Sequence, residues 1–200
     1  MISCPVTANR TVVDQAIQSR TGWLQKQVHL ARSRPARPVF SYETGETHFF
    51  KGSPHQLTVK EIRGGMQCAL FREEEIVLSV KPGTITQKRK LLLENWYRDR
   101  LIDTAGRMVN RWAPVVGVRV NEIRARKMKT RWGSCNIKAA RVWLNLDLIR
   151  LSPVFLEYVL VHEMVHLVER YHNKRFYAHM DRLVPGWPDL KKNLDQTCFR

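Results

Sequence analysis

Residues 158–172 read YVLVHEMVHLVERYH, an apolar stretch that carries two histidines and a glutamate in its middle. His162 and His166 stand four residues apart, so on a helix their rings lie one above the other and can reach one metal ion. Glu163 follows the first of them, tilted towards the open side of such an ion, where it can take a proton from bound water. This H-E-x-x-H arrangement is the one a zinc hydrolase needs. The bare pattern arises by chance in roughly one 200-residue chain in two hundred, so the flanks decide. Val159, Leu160, Val161, Leu167 and Val168 make the helix apolar on nearly every side. It is therefore expected to be buried, and burying three unpartnered ionisable groups is costly. A bound metal removes that cost.

A catalytic zinc takes three protein ligands and keeps a position for water. His172 lies six residues beyond His166, the offset found in H-E-x-x-H-x-x-G-x-x-H, whose glycine lets the chain turn back. Glu169 occupies that glycine position here, so the helix is expected to end differently, around Tyr171 to Asn173. Spacing puts His172 first as third ligand. Glu169, three residues after His166, comes second, and His179 and Asp181 are more remote choices.

These residues need a scaffold. Residues 9–33 read as one helix, with Val12, Ala16, Ile17, Trp23, Leu24 and Val28 at three- and four-residue steps. The prolines of RSRPARPV break it. Short strands follow in HQLTVKEI, MQCALF and EIVLSV, with GG and EEE as turn signals. Thr84 is placed to cap a long helix that stops before Pro114. VGVRVNEIRARKMKTRW reads as a strand leading into a WGSCN turn, and RVWLNLDL as another strand. Ser152-Pro153 is a good start for the H-E-x-x-H helix, and NKRFYAHMDRL and DLKKNLDQ are shorter helices. The order predicts a single α+β domain, with a β-rich half over about 1–115 and a metal-site half over about 116–200.

The composition, 44% hydrophobic and 26% charged, is that of a globular chain. Cys4, Cys68, Cys135 and Cys198 are scattered with no CxxC pair, which argues against a cysteine zinc site or a disulfide framework and suits a reducing, cytoplasmic setting. No apolar run approaches a membrane span. The net charge of +16 favours a polyanionic partner, and nucleic acid is the obvious one.

RWGSC at 131–135, LNLDLI at 144–149, YVLVHEMVHLVERYHNKRF at 158–176 and YAHMDRLVPGW at 177–187 together resemble the YgjP-type metallopeptidases, a minimal zincin-like group akin to the SprT and WLM proteases. The similarity extends back to about residue 20. The resemblance implies zinc on His162, His166 and His172, with Glu163 as general base and a small sheet laid over the active-site helix flanked by further helices. The WGSC segment resembles that group's segment near the cleft, which puts Arg131, Trp132, Ser134 and Asn145 beside it; on chemistry alone Trp132 and Gly133 suit a packed turn, and Ser134 and Asn145 suit capping groups. Members of that group begin with a β-hairpin ahead of a segment like CPVTANRTVVDQAI, whereas Met1 falls almost on that segment, so the first strands are expected to be missing.

The leading expectation is a zinc-dependent peptidase acting on protein or peptide substrates. A DNA-associated protease of the SprT kind would use the positive charge to sit on nucleic acid and cleave bound proteins. A non-catalytic metal-bearing module is a third reading, but such a site has no use for a free carboxylate and would fill its fourth position. A nucleophilic role for Cys135 lacks a base beside it.

Overall fold

Ser19 and Thr21 divide the N-terminal helical stretch in two. Their hydroxyls donate to the carbonyls of Ala16 and Ile17, at 3.1 Å each, and such local bonds compete with helix continuation. The single helix expected over 9–33 is therefore two, α1 (Arg10–Gln18) and α2 (Thr21–Arg32). In this computed structural model residues 7, 9–32, 38–197 and 199 are described. Most of RSRPARPV, the segment 1–6, Cys4 and Cys198 lie outside them. The chain divides into two compact units, residues 1–37 and 38–200, and the metal-site residues all belong to the second.

That unit begins with a hairpin, β1 (Thr47–Phe50) and β2 (Ser53–Glu61), turning at Lys51 and Gly52. Both turn residues have positive φ, 52° and 91°, the twist a two-residue hairpin prefers. A second hairpin, β3 (Cys68–Arg72) and β4 (Glu75–Val80), turns at Glu73–Glu74, within the acidic run read as a turn signal. Parallel pairing of β2 with β4 joins the hairpins into one sheet of order β1-β2-β4-β3. Leu57, Ile76, Leu78 and Val80 are buried in it.

The long helix α3 (Thr86–Val116) packs on β3 and β4 and also on the metal-site half. Leu93, Trp96, Leu101, Ala105 and Val109 supply its buried stripe. Thr84 does not cap it. The Thr84 hydroxyl is spent on the Lys81 carbonyl and the Gln67 side chain, and Ile85 takes the cap position. Pro114 does not stop it either: the helix runs on through Val116 and closes on Gly117, whose φ of 78° is a common helix ending.

A second sheet has the order β5-β7-β6, from β5 (Glu122–Arg126), β6 (Gly133–Asn136) and β7 (Arg141–Asn145). WGSCN, expected as a turn, is mainly strand β6, paired antiparallel with β7. The β-branched residues of VGVRV precede β5 rather than extending it. A 3-10 turn, Leu146–Arg150, then delivers the chain to α4 (Pro153–Val165). The amides of Lys51 and Gly52 donate to the carbonyls of Ile149 and Arg150 at 2.8 and 3.1 Å. A Cβ on Gly52 would stand 2.9 Å from the Ser152 Cα. The first hairpin thus clamps the entry to α4. Two helices, α5 (Lys174–Leu183) and α6 (Trp187–Asp195), also pack against α4. The architecture is α+β, with the three-stranded sheet lying on the H-E-x-x-H helix. Among the described residues no helix is long and apolar enough to cross a membrane.

Candidate active site

Helix α4 carries two kinds of face. Leu160, Val161 and Met164 are fully buried in the core. Tyr158, His162 and His166, at four-residue steps, line a cleft. The α-helix ends at Val165, earlier than the 171–173 boundary expected from the sequence. His166 itself is the capping residue, and its Nδ1 meets the Glu169 carbonyl at 3.2 Å. A carbonyl only accepts, so Nδ1 holds the proton and Nε2 keeps its lone pair for a metal. The turn that follows does the work of the missing glycine. Asn173 then starts α5 by accepting from the amides of Arg175 and Phe176, at 3.0 Å each.

This doubling-back brings His172 onto the other two. Ligand atoms of His162, His166 and His172 all lie within 4.8 Å of one another, and the Nε2 atoms of His162 and His172 are 3.1 Å apart. Two nitrogens held tetrahedrally at about 2.0–2.1 Å from zinc stand about 3.3–3.4 Å apart. The donor set and its spacing therefore fit zinc. Phe176, fully enclosed on α5, supports all three rings, with centroid distances of 4.9, 4.7 and 4.5 Å to His162, His166 and His172. Burial lowers the pKa of each histidine, that of His162 to about 3, with the neighbouring imidazoles pushing His162 and His172 the same way. All three rings are neutral at pH 7, the state a metal needs.

Glu163 is 6% exposed. Desolvation pushes its pKa up to about 8, against a lowering pull from Arg131. Its carboxyl rests on Gly133 of β6, where a Cβ would lie 2.6 Å from Oε1. Tyr158 is buried beside it, its pKa raised to about 12 mainly by burial, so the phenol keeps its proton. Burial likewise raises the Cys135 thiol to about 11, which suits a packed residue better than a nucleophile.

The cleft has a volume of about 640 Å³. Arg131, Trp132 and Ser134 line it. Asn145 does not. It is 1% exposed and works one layer back, donating to the carbonyls of Met128 and Arg131 at 3.0 and 3.1 Å while accepting from the Asp147 amide. Of the other third-ligand choices, Glu169 acts through its carbonyl, Asp181 accepts from the Trp187 indole at 2.8 Å, and His179 is outside the cluster. Sequence reasoning missed Tyr158, Phe176, Arg170 and Lys191. The first two sit four residues before His162 and four after His172, a spacing that could have pointed to them.

Three neutral imidazoles converging on one point, with a carboxyl beside them and an open cleft in front, are the arrangement that metal-dependent hydrolases use. More particularly, the chain belongs to the YgjP-like family, whose metallopeptidase domain matches residues 1–197. No curated protein matches the chain. Among solved structures it is similar to the metallopeptidase zymogen of Pyrococcus abyssi abylysin, at 19% identity over 45% of this chain and 90% of that one, with a TM-score of 0.42. The metallopeptidase zymogen of Methanocaldococcus jannaschii jannalysin is similar at 17% identity over 46% and 94% of the two chains, also with a TM-score of 0.42.

Proposed function

We propose that this chain is a zinc-dependent peptidase in which His162, His166 and His172 hold the ion and Glu163 is the general base. The observation that carries the reading is the convergence of the three histidines within 4.8 Å beside a buried glutamate. Zinc held there would lower the pKa of a bound water and polarise the scissile carbonyl. Glu163, as carboxylate, accepts the water's proton on an oxygen and, once protonated, can pass it to the departing amine. Its burial shields that proton from bulk water until the leaving group takes it. Tyr158 retains its proton and stands ready to donate a hydrogen bond to a substrate oxygen in the cleft. His166 is held in the metal-binding tautomer by the Glu169 carbonyl.

The test pairs elemental analysis with a cleavage screen on unfolded protein and peptide libraries. The native chain and Glu163→Gln should each carry one zinc, and only the native chain should cut. Equal cleavage by Glu163→Gln would show that the assignment of the base is wrong. A folded protein without metal affinity would end the zinc reading altogether.

A further inference from the structure

Four cations stand along the cleft and its continuation. Arg131, Arg170 and Lys191 line the hollow in front of the histidines. A second hollow of about 610 Å³ shares Cys135, Ile137, His166 and Arg170 with the first and adds Lys138. The cleft therefore continues past His166, along the end of β6 and the turn after α4.

Some cations of this half are held in ion pairs, and Arg131 is drawn to Glu163 from beyond ion-pair distance. Arg111 pairs with Glu157, Arg124 and Arg141 with Glu122, and Lys127 with Glu94. Among the described residues no carboxylate pairs with Arg131, Lys138, Arg170 or Lys191. Two carboxylates line the first hollow, Glu163 and Asp195. The proposed reaction uses Glu163, and Asp195 already has an interaction of its own. The second hollow is lined by no carboxylate at all. Its cations sit beside exposed apolar surface, since Ile137 is 41% and Val168 49% exposed. The Arg170 guanidinium lies 5.4 Å from the Tyr171 ring centre, and stacking of that kind leaves its edge donors free for a carboxylate.

From this geometry we infer that the cleft selects peptide segments in which an acidic side chain neighbours an apolar one, with Lys138 and Arg170 receiving the carboxylate on the His166 side of the metal site. The apolar neighbour covers Ile137 and Val168. As a statement about cleavage this rests on the peptidase reading above; as a statement about binding it stands apart. Exposed ion pairs are each worth only a few-fold in affinity, so two acting together should give a preference of roughly tenfold, and salt should erode it.

The experiment uses the zinc-loaded Glu163→Gln chain, which can hold a peptide without cutting it. Fluorescence anisotropy compares labelled peptides that are identical but for one residue, Glu, Gln or Lys, beside a leucine. The Glu peptide should bind about tenfold more tightly than the Gln peptide at low salt, with the gap closing as salt rises. Adding Lys138→Glu and Arg170→Glu together should abolish that preference and transfer it to the Lys peptide, with zinc content and melting temperature unchanged. A purely structural role for these side chains cannot produce such a transfer. Equal binding of the three peptides, or an acid preference that survives the charge reversal, would overturn the inference. So would a random single-stranded DNA oligomer that binds more tightly than the Glu peptide and is lost on the same reversal, since the cations would then serve nucleic acid. Cleavage by the native chain is measured in parallel. No cleavage with the acid preference intact would remove the peptidase reading alone, and cleavage without the preference would remove this inference alone.

Discussion

Gly133 has no side chain because Glu163 occupies the space. A Cβ there would lie 2.6 Å from Oε1 and 2.7 Å from Cγ of the glutamate, far inside van der Waals contact. The Gly133 backbone is not in the left-handed region, so the demand for glycine is steric alone. Gly133→Ala should therefore push the carboxyl aside at a cost of about 1–3 kcal/mol in stability. Displacing a catalytic group by about an ångström can cost on the order of a hundredfold in rate. Zinc affinity should hold, because the three histidines are untouched. Cleavage rates measured beside zinc content check this, and a fully active Gly133→Ala chain would refute it.

Metal uptake should release one proton, and the proton should come from Glu163. In the metal-free protein the histidines are already neutral at pH 7, whereas Glu163, with a pKa of about 8, is mostly protonated. A divalent cation beside it favours the carboxylate. Titration calorimetry with zinc at pH 7, in buffers of different ionisation enthalpy, should give about one proton for the native chain and about none for Glu163→Gln. Equal release from both would mean that the histidines supply the protons instead.

The same glutamate should set a pH dependence of stability in the metal-free protein. Its folded value, about 8, lies above the ordinary 4.5. The stability it contributes is therefore fully present below about pH 4.5 and is lost as pH rises through 8. His48, His162, His166 and His172 act in the opposite sense, since their depressed values give stability that is present above about 6.5 and lost as pH falls. The histidines are common to native and Glu163→Gln chains, so the difference between the two isolates the glutamate. With chelator present, Glu163→Gln should gain on the native chain between pH 5 and 8, by on the order of 2–4 kcal/mol, and then level off. Melting curves whose separation stays constant over that range would contradict the assignment.

The sequence was most legible where chemistry and local geometry coincide. His162, Glu163 and His166 follow from helical spacing, and Ser152-Pro153 marks the start of their helix. The four-residue rhythm that exposes the histidines also places Tyr158 and, after the turn, Phe176. What could not be read was set by distant contacts. WGSCN has the composition of a turn, yet Asn145 donates to the Trp132 and Arg131 carbonyls and pairing with β7 draws the segment into a strand. Asn145, which the sequence offered as cleft-adjacent or as a capping amide, is a buried brace that accepts from the Asp147 amide. The early end of α4 depends on one ring nitrogen meeting the Glu169 carbonyl, a bond that no periodicity announces. Pro114 was expected to stop α3, but its missing amide removes a single helical bond and the chain keeps its helical path to Gly117.

Phe176 should prove to be the main support of the metal site outside the ligands. Its ring is 1% exposed and lies within 5 Å, centre to centre, of all three histidine rings. Phe176→Ala would leave a cavity and cost about 3–5 kcal/mol. The histidines would also lose the surface that fixes their orientation, and weakening such support typically costs 10–100-fold in metal affinity. Phe176→Leu keeps most of the volume and should stay within about 1.5 kcal/mol of native. Leu183, also buried on α5 but two turns further along, provides the control. Leu183→Ala should lower the melting temperature without weakening zinc binding in proportion. Competition against a chromophoric chelator, run on all three variants at a temperature where each is folded, separates the two effects. If Phe176→Ala holds zinc as tightly as Leu183→Ala does, the ring is only core packing. A selective loss in Phe176→Ala, largely restored by leucine, identifies it as the residue that keeps three neutral imidazoles aimed at one point.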